Sequence, residues 1–296
     1  VETETTLTVN PVATSAETKM TNLSTRAFAG TGSQTLTVGF VIEGTGTKRV
    51  LVRAVGPTLG QAPFNLPGTQ ADPRLKLNRN GAGEVAANDN WGTNTTATAA
   101  EIAAVTQTVG GFALPSGSKD AAILVDLAPG VYTAQVETTA GNEGLVIVEA
   151  YDVDPTAGNS RLVNLSTRGQ VGSGLNIIVA GLVVAGPAPR TYLIRAVGDT
   201  LQDFGIPDYL DDAVITLYRQ SNGQSAIQRY VDDWDDPAIH QPMLEAAMQQ
   251  VGAFPLTDRQ ESALKITLAP GAYTVEVSSF GEQTGVSLVE IYEFPE

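Results

Sequence analysis

An internal duplication constrains this chain more than any other feature of its sequence. Asn22-Leu23-Ser24-Thr25-Arg26 recurs as Asn164-Leu165-Ser166-Thr167-Arg168, and Arg53-Ala54-Val55-Gly56 recurs as Arg195-Ala196-Val197-Gly198, both 142 residues later. Trp91 and Trp234, the only tryptophans, lie 143 apart. Ala128-Pro129-Gly130-Val131-Tyr132-Thr133 returns as Ala269-Pro270-Gly271-Ala272-Tyr273-Thr274, and Val148-Glu149 with Tyr151 returns as Val289-Glu290 with Tyr292, at an offset of 141. A spacing that drifts by one residue either way marks a tandem repeat, so whatever one copy folds into, the chain holds twice.

The first copy closes after Tyr151, and the polar run that follows, with Pro155 and Gly158, reads as a linker. The expected division is an extension and tether over 1–20, one repeat over 21–154, a linker over 155–162 and a second repeat over 163–296. Within a copy, residues 36–42, 49–55, 75–78, 121–127, 132–136 and 145–151 are short apolar or alternating runs between Gly and Pro turns. Seven or eight such strands predict a β-sandwich. One helix interrupts each copy. Leu244, Ala247, Met248 and Val251 fall at i, i+3, i+4 and i+7, matched by Ile102, Val105, Thr106 and Val109, as core-facing positions. The fold expected is therefore all-β: two tandem sandwich domains, each with one short helix, plus an N-terminal strand.

Composition excludes several function classes. Lys and Arg number 17 against 32 Asp and Glu, a net charge of −15 that repels a phosphate backbone, so nucleic acid is not expected as a partner. The acid is unevenly shared: −3 over 21–162 and −10 over 163–296. No stretch approaches the roughly 20 apolar residues of a membrane-spanning helix. The absence of cysteine removes thiol catalysis and disulfides, and the single histidine, His240, leaves no His-rich metal site. No nucleophile elbow, P-loop or dinucleotide fingerprint is present. A hydrolase would have only scattered Asp and Glu to work with. The chain begins at Val1 without Met or an apolar leader, the form expected of a processed, exported product.

Calcium takes six to eight oxygen ligands, so the acidic loop before each helix is the candidate metal site: Asp89 in the first copy, and Asp232, Asp233, Asp235 and Asp236 in the second. Helix capping by the same residue types is the competing explanation. Trp91 and Trp234 stand either for buried core or for a platform under a sugar ring. Arg53 and Arg195, each inside an apolar strand, point to an internal pair with Glu149 and Glu290.

The series Asn-Leu-Ser-Thr-Arg, Arg-Ala-Val-Gly, the Trp loop, Ala-Pro-Gly-x-Tyr-Thr and Val-Glu-x-Tyr resembles a module repeated in large secreted and surface proteins of environmental bacteria. The later half of each copy is similar to pre-peptidase C-terminal β-sandwiches. The first resemblance implies an extracellular, non-catalytic module and assigns no site residues; the Asp232–Asp236 loop departs from its pattern.

Residues 1–20 have no counterpart in the second copy. Val1, Thr3, Thr5, Leu7 and Val9 alternate with Glu2, Glu4, Thr6, Thr8 and Asn10, a period-two strand surplus to the domain plan. It can fold back onto its own first domain, lie disordered, or add to a sheet edge of a neighbouring subunit and so propagate a homopolymer. Two functions follow: a secreted structural subunit of a filament or surface layer, or an extracellular module that binds carbohydrate or a cell surface.

Overall fold

The structure, a computed structural model, describes residues 17–93, 95–154 and 159–295. Each copy contributes eight strands and one α-helix. The first copy runs β1 (Lys19–Ala29), β2 (Thr37–Glu43), β3 (Lys48–Val55), β4 (Arg74–Arg79), β5 (Gly83–Asn88), α1 (Ala99–Thr108), β6 (Ala121–Leu127), β7 (Gly130–Glu137) and β8 (Gly144–Asp152). The second runs β9 (Arg161–Val171), β10 (Ile178–Ala185), β11 (Arg190–Val197), β12 (Ala213–Ser221), β13 (Gln224–Val231), α2 (Gln241–Gln250), β14 (Ser262–Leu268), β15 (Gly271–Ser279) and β16 (Gly285–Glu293). The all-β expectation with one short helix per copy is met. β9 starts at Arg161, inside the stretch expected to be linker.

The copies are not beads on a thread. One antiparallel layer runs β6-β3-β8-β1 in the first copy and continues without a break into β10-β15-β12-β13 of the second. The other runs β14-β11-β16-β9 and continues into β2-β7-β4-β5. Two parallel bridges, Met20 to Leu162 and Phe28 to Gln170, connect β1 and β9 where the layers meet. The result is a sandwich of two eight-stranded layers, with a seam between copies through the middle of each. One hydrophobic cluster fills it from end to end, from Leu75 and Leu77 in the first copy to Ile215 and Leu217 in the second. Strands β3 and β8 are buried on both faces, because their outer sides are covered by the helix-bearing segment; this is why their middles read as apolar runs broken only by Arg53 and Glu149.

The seam has a pseudo-twofold relation. Ser24 lies opposite Gly181 across β1–β10, and Ser166 lies opposite Gly39 across β9–β2. Thr25 and Thr167 meet hydroxyl to hydroxyl at 2.7 Å, both fully buried, at the centre. This is an isologous contact within one chain: what the first copy does to the second, the second does to the first. The chain entering each first strand also leans on the other copy. Thr18 exchanges hydrogen bonds with Ala188, and the Ser160 hydroxyl donates to the Gly46 carbonyl.

The two seam glycines are there for room. A Cβ at Gly39 would lie 2.4 Å from Ser166 Oγ, and one at Gly181 2.5 Å from Ser24 Oγ. Gly→Ala in a strand ordinarily stabilises through the unfolded chain by about 0.4–1 kcal/mol. Gly39→Ala is expected to do the opposite, costing about 1–3 kcal/mol through overpacking. Adding Ser166→Ala should remove that cost, since the Ser166 Cβ would sit 3.7 Å away. Denaturant melts of the two single variants and the double variant check this; additive effects would mean the glycine is not there for the serine.

Candidate functional site

The repeated arginines build a buried clamp in each copy. Register places Arg53 of β3 directly opposite Glu149 of β8, and Arg195 of β11 opposite Glu290 of β16. Arg53 Nε donates to Glu149 Oε2 at 2.9 Å and its Nη1 to the Phe112 carbonyl at 2.7 Å. Arg195 Nε donates to Glu290 Oε2 at 3.0 Å and its Nη1 to the Phe254 carbonyl at 2.5 Å. The hydroxyls of Tyr151 and Tyr292 donate to the remaining oxygens of Glu149 and Glu290, at 2.6 and 2.5 Å. Each guanidinium also lies over a phenylalanine ring, 4.5 Å from the Phe112 centroid and 4.3 Å from that of Phe254. Burial first, then the adjacent carboxylate, holds both tyrosine hydroxyls well above their usual range, so they stay donors. Burial alone would lower the Arg53 pKa, and Glu149 together with Tyr151 and Asp120 more than offsets that. The internal arginine–carboxylate pairs expected from the sequence are therefore present, and their job is to tie the segment after each helix to the sheet.

A second pair of carboxylates organises the loop after β3 and β11. Asp120 Oδ1 accepts from the backbone N–H groups of Gly56 and Thr58 at 3.0 and 3.3 Å, and its Oδ2 from Ser118 Oγ at 2.7 Å. Glu261 Oε1 accepts from Gly198 and Thr200 N–H at 3.1 and 2.9 Å, and its Oε2 from Thr200 Oγ1 at 2.7 Å. Reading the sequence missed this pair. The signal was available: Gly56-Pro57-Thr58 repeats as Gly198-Asp199-Thr200, two backbone donors and a hydroxyl that require an acceptor. The Ala-Pro-Gly-x-Tyr motif is likewise structural. Tyr132 and Tyr273 donate to the Ala128 and Ala269 carbonyls at 2.6 and 2.8 Å, closing the turn four residues upstream.

The tryptophans occupy equivalent buried places. Trp91 N–H bonds the Asp120 carbonyl at 2.8 Å and Trp234 N–H the Glu261 carbonyl at 2.7 Å. Their indole nitrogens donate to the carbonyls of Pro115 and Asp258. Each ring packs in an outer cluster beneath its helix, Trp91 with Leu51 and Ile102, Trp234 with Leu244 and Met248. The sugar-platform alternative loses its exposed ring. Helix α1 starts at a capping box formed by Thr98 and Glu101, whereas α2 has His240 at the cap position with no side-chain bond.

The acidic loops expected to hold calcium make contacts of their own among the described residues. Asp89 lies in the first copy and accepts from Asn90 Nδ2, while Asp232, Asp233, Asp235 and Asp236 lie in the second. Asp235 is turned to Arg259 at 2.7 Å. Among the described residues, no group of three or more His, Asp or Glu side chains is placed to share a metal ion. Val1, Thr3, Thr5, Leu7 and Val9 lie outside the described residues. Among those described, no helix is long and apolar enough to cross a membrane.

Glu261 gives the buried clusters a pH signature. Burial pushes its carboxyl from 4.5 up to about 6, against the hydrogen bonds from Thr200 and Gly198. The folded state then holds the proton more tightly than the unfolded chain. Stability is gained as pH falls from about 6 to 4.5 and is lost again as pH rises through that window. The size is on the order of 2 kcal/mol. Asp199, pushed to about 6 by burial and then by Asp258 and Asp211, acts in the same direction. Melting temperature should therefore rise between pH 7 and 5. Glu261→Gln, which keeps an acceptor for both N–H groups, should flatten the rise; parallel curves for the two proteins would refute the assignment.

No protein-family model matches the chain, and no curated protein does. Among solved structures, it is similar to a DUF4785 family protein from Legionella pneumophila subsp. pneumophila at 8% identity. That match covers 98% of this chain and 89% of the other, with a TM-score of 0.24, too low to carry any inference about function.

Proposed function

We propose that this chain is a non-catalytic structural subunit of an extracellular filament or surface layer, assembled by addition of its N-terminal segment to a neighbouring copy. The observation that carries this reading is the seam: two copies of one module are already joined by backbone pairing of strand edges, in both layers at once. The same interaction between chains would extend the assembly without further chemistry. The repeated ionisable residues support it from the other side, because Arg53, Glu149, Asp120 and their counterparts are consumed in holding strands and loops.

The test is deletion of residues 1–12. By light scattering and negative-stain imaging, the full chain should polymerise, and the shortened chain should stay monomeric with an unchanged melting temperature. A shortened chain that assembles as before, or a full chain that never assembles, would sink the proposal.

A further inference from the structure

We infer that the seam edge of each copy is self-complementary, and that the partner it fits, besides its sister copy, is the same edge in a second molecule of this chain. This goes beyond the functional reading above, since it concerns β1, β2 and their counterparts and asks nothing of the N-terminal segment.

The two seam ladders are one ladder written twice. Exchanging each residue of a β1–β10 pair for its counterpart 142 positions away gives a β9–β2 pair: Leu23–Leu182 becomes Leu165–Phe40, and Ser24–Gly181 becomes Ser166–Gly39. The bulge obeys the same rule, with Thr21 the extra residue in β1 and Val163 in β9. Each copy therefore carries both sides of the match. The first presents Ser24 on β1 and, on β2, the glycine that a facing serine needs, Gly39. The second presents Ser166 and Gly181. An edge that holds both sides in a twofold relation meets a copy of itself as it meets its sister.

Two first copies joined in this register would set Ser24 against Gly39 twice, with Leu23 opposite Phe40 and Met20 opposite Ile42. All four apolar residues already lie in the core. Thr25 would meet Thr25 where it now meets Thr167. The charged residues of the four seam strands are Lys19, Arg26, Glu43, Arg161 and Arg168. Lys19, now opposite Ala185, would stand opposite Glu43, as Arg161 does already. Arg26 would give up the attraction of Glu276 and stand opposite Thr37, as Arg168 does already. Net charge sets the preference among pairs. With −3 on the first copy and −10 on the second, two second copies repel most, so sister pairing is favoured overall. In the intact chain the linker adds to that preference by holding the sister at high effective concentration, and a second molecule enters by exchange of copies.

The experiment places a protease site between β8 and β9, cuts the full chain, unfolds it in urea, refolds it and weighs the pairs by native mass spectrometry. Pairs of two first copies and of two second copies should appear beside sister pairs, and raising the salt should increase their share. Ser24→Ala with Gly39→Ala gives the sharper readout. The added methyl still meets Ser166 in a sister pair, but meets only alanine between two first copies. The ratio of like to sister pairs should rise at least tenfold. Sister pairs alone, or unpaired copies, would overturn the inference, and so would an unchanged ratio in the double variant. The cut chain lacking residues 1–12 separates this edge from strand addition. First-copy pairs that vanish with that deletion would overturn the seam assignment and leave the functional reading standing.

Discussion

Arg195→Ala should lower the stability of the protein by about 3–5 kcal/mol, because it leaves the Glu290 carboxylate buried without its partner. At the few degrees per kcal/mol typical of a fold this size, the melting temperature should drop on the order of 10 °C. Arg53→Ala should do the same through Glu149. The decisive comparison is Arg195→Met with Glu290→Leu. Removing both charges and filling their space with apolar groups should recover most of the loss, since such replacements are often neutral or stabilising. If the double variant is as unstable as Arg195→Ala, the cluster contributes something other than a mutually compensating pair. Assembly should follow stability in every one of these variants. A variant that melts normally but loses an activity would point to chemistry at the clamp.

Trp234→Ala and Trp91→Ala should each cost about 3–5 kcal/mol, the usual range for emptying a buried aromatic site. Both losses include the indole hydrogen bond to a backbone carbonyl, to Asp258 and Pro115 respectively. Phenylalanine keeps much of the packing and drops the donor, so Trp→Phe should fall between. Thermal melts with and without soluble polysaccharide provide the check. Normal melting combined with lost retention on polysaccharide would restore the sugar-platform alternative.

Much of this was legible from residue order alone. The helix over 241–250 could be read from Leu244, Ala247 and Met248, and the arginine–glutamate pairs from charges set into apolar strands. The longest strands, β1 and β9, were harder to see. Ser24, Thr25 and Arg26 interrupt the alternation, and Thr25 is buried where its hydroxyl meets that of Thr167 in the other copy. A contact between copies leaves no period in either one. Gly39 and Gly181 were visible as repeated glycines, yet the serine each accommodates lies more than a hundred residues away in sequence. In the acidic run Asp232–Asp236, Asp235 turns to Arg259, a partner that sequence spacing cannot reveal.

The seam also decides how the molecule would bear a load. A pull on the N-terminal segment passes through Thr18 straight into β1, which lies in the interior of its layer with β8 along one edge and β10 along the other. Tension along that axis slides β1 lengthwise against both ladders, so the hydrogen bonds are loaded together and do not peel away one after another. Because one of those ladders belongs to each copy, the force is divided between the two halves of the chain at its point of entry. Neither half can be drawn out without shearing the other.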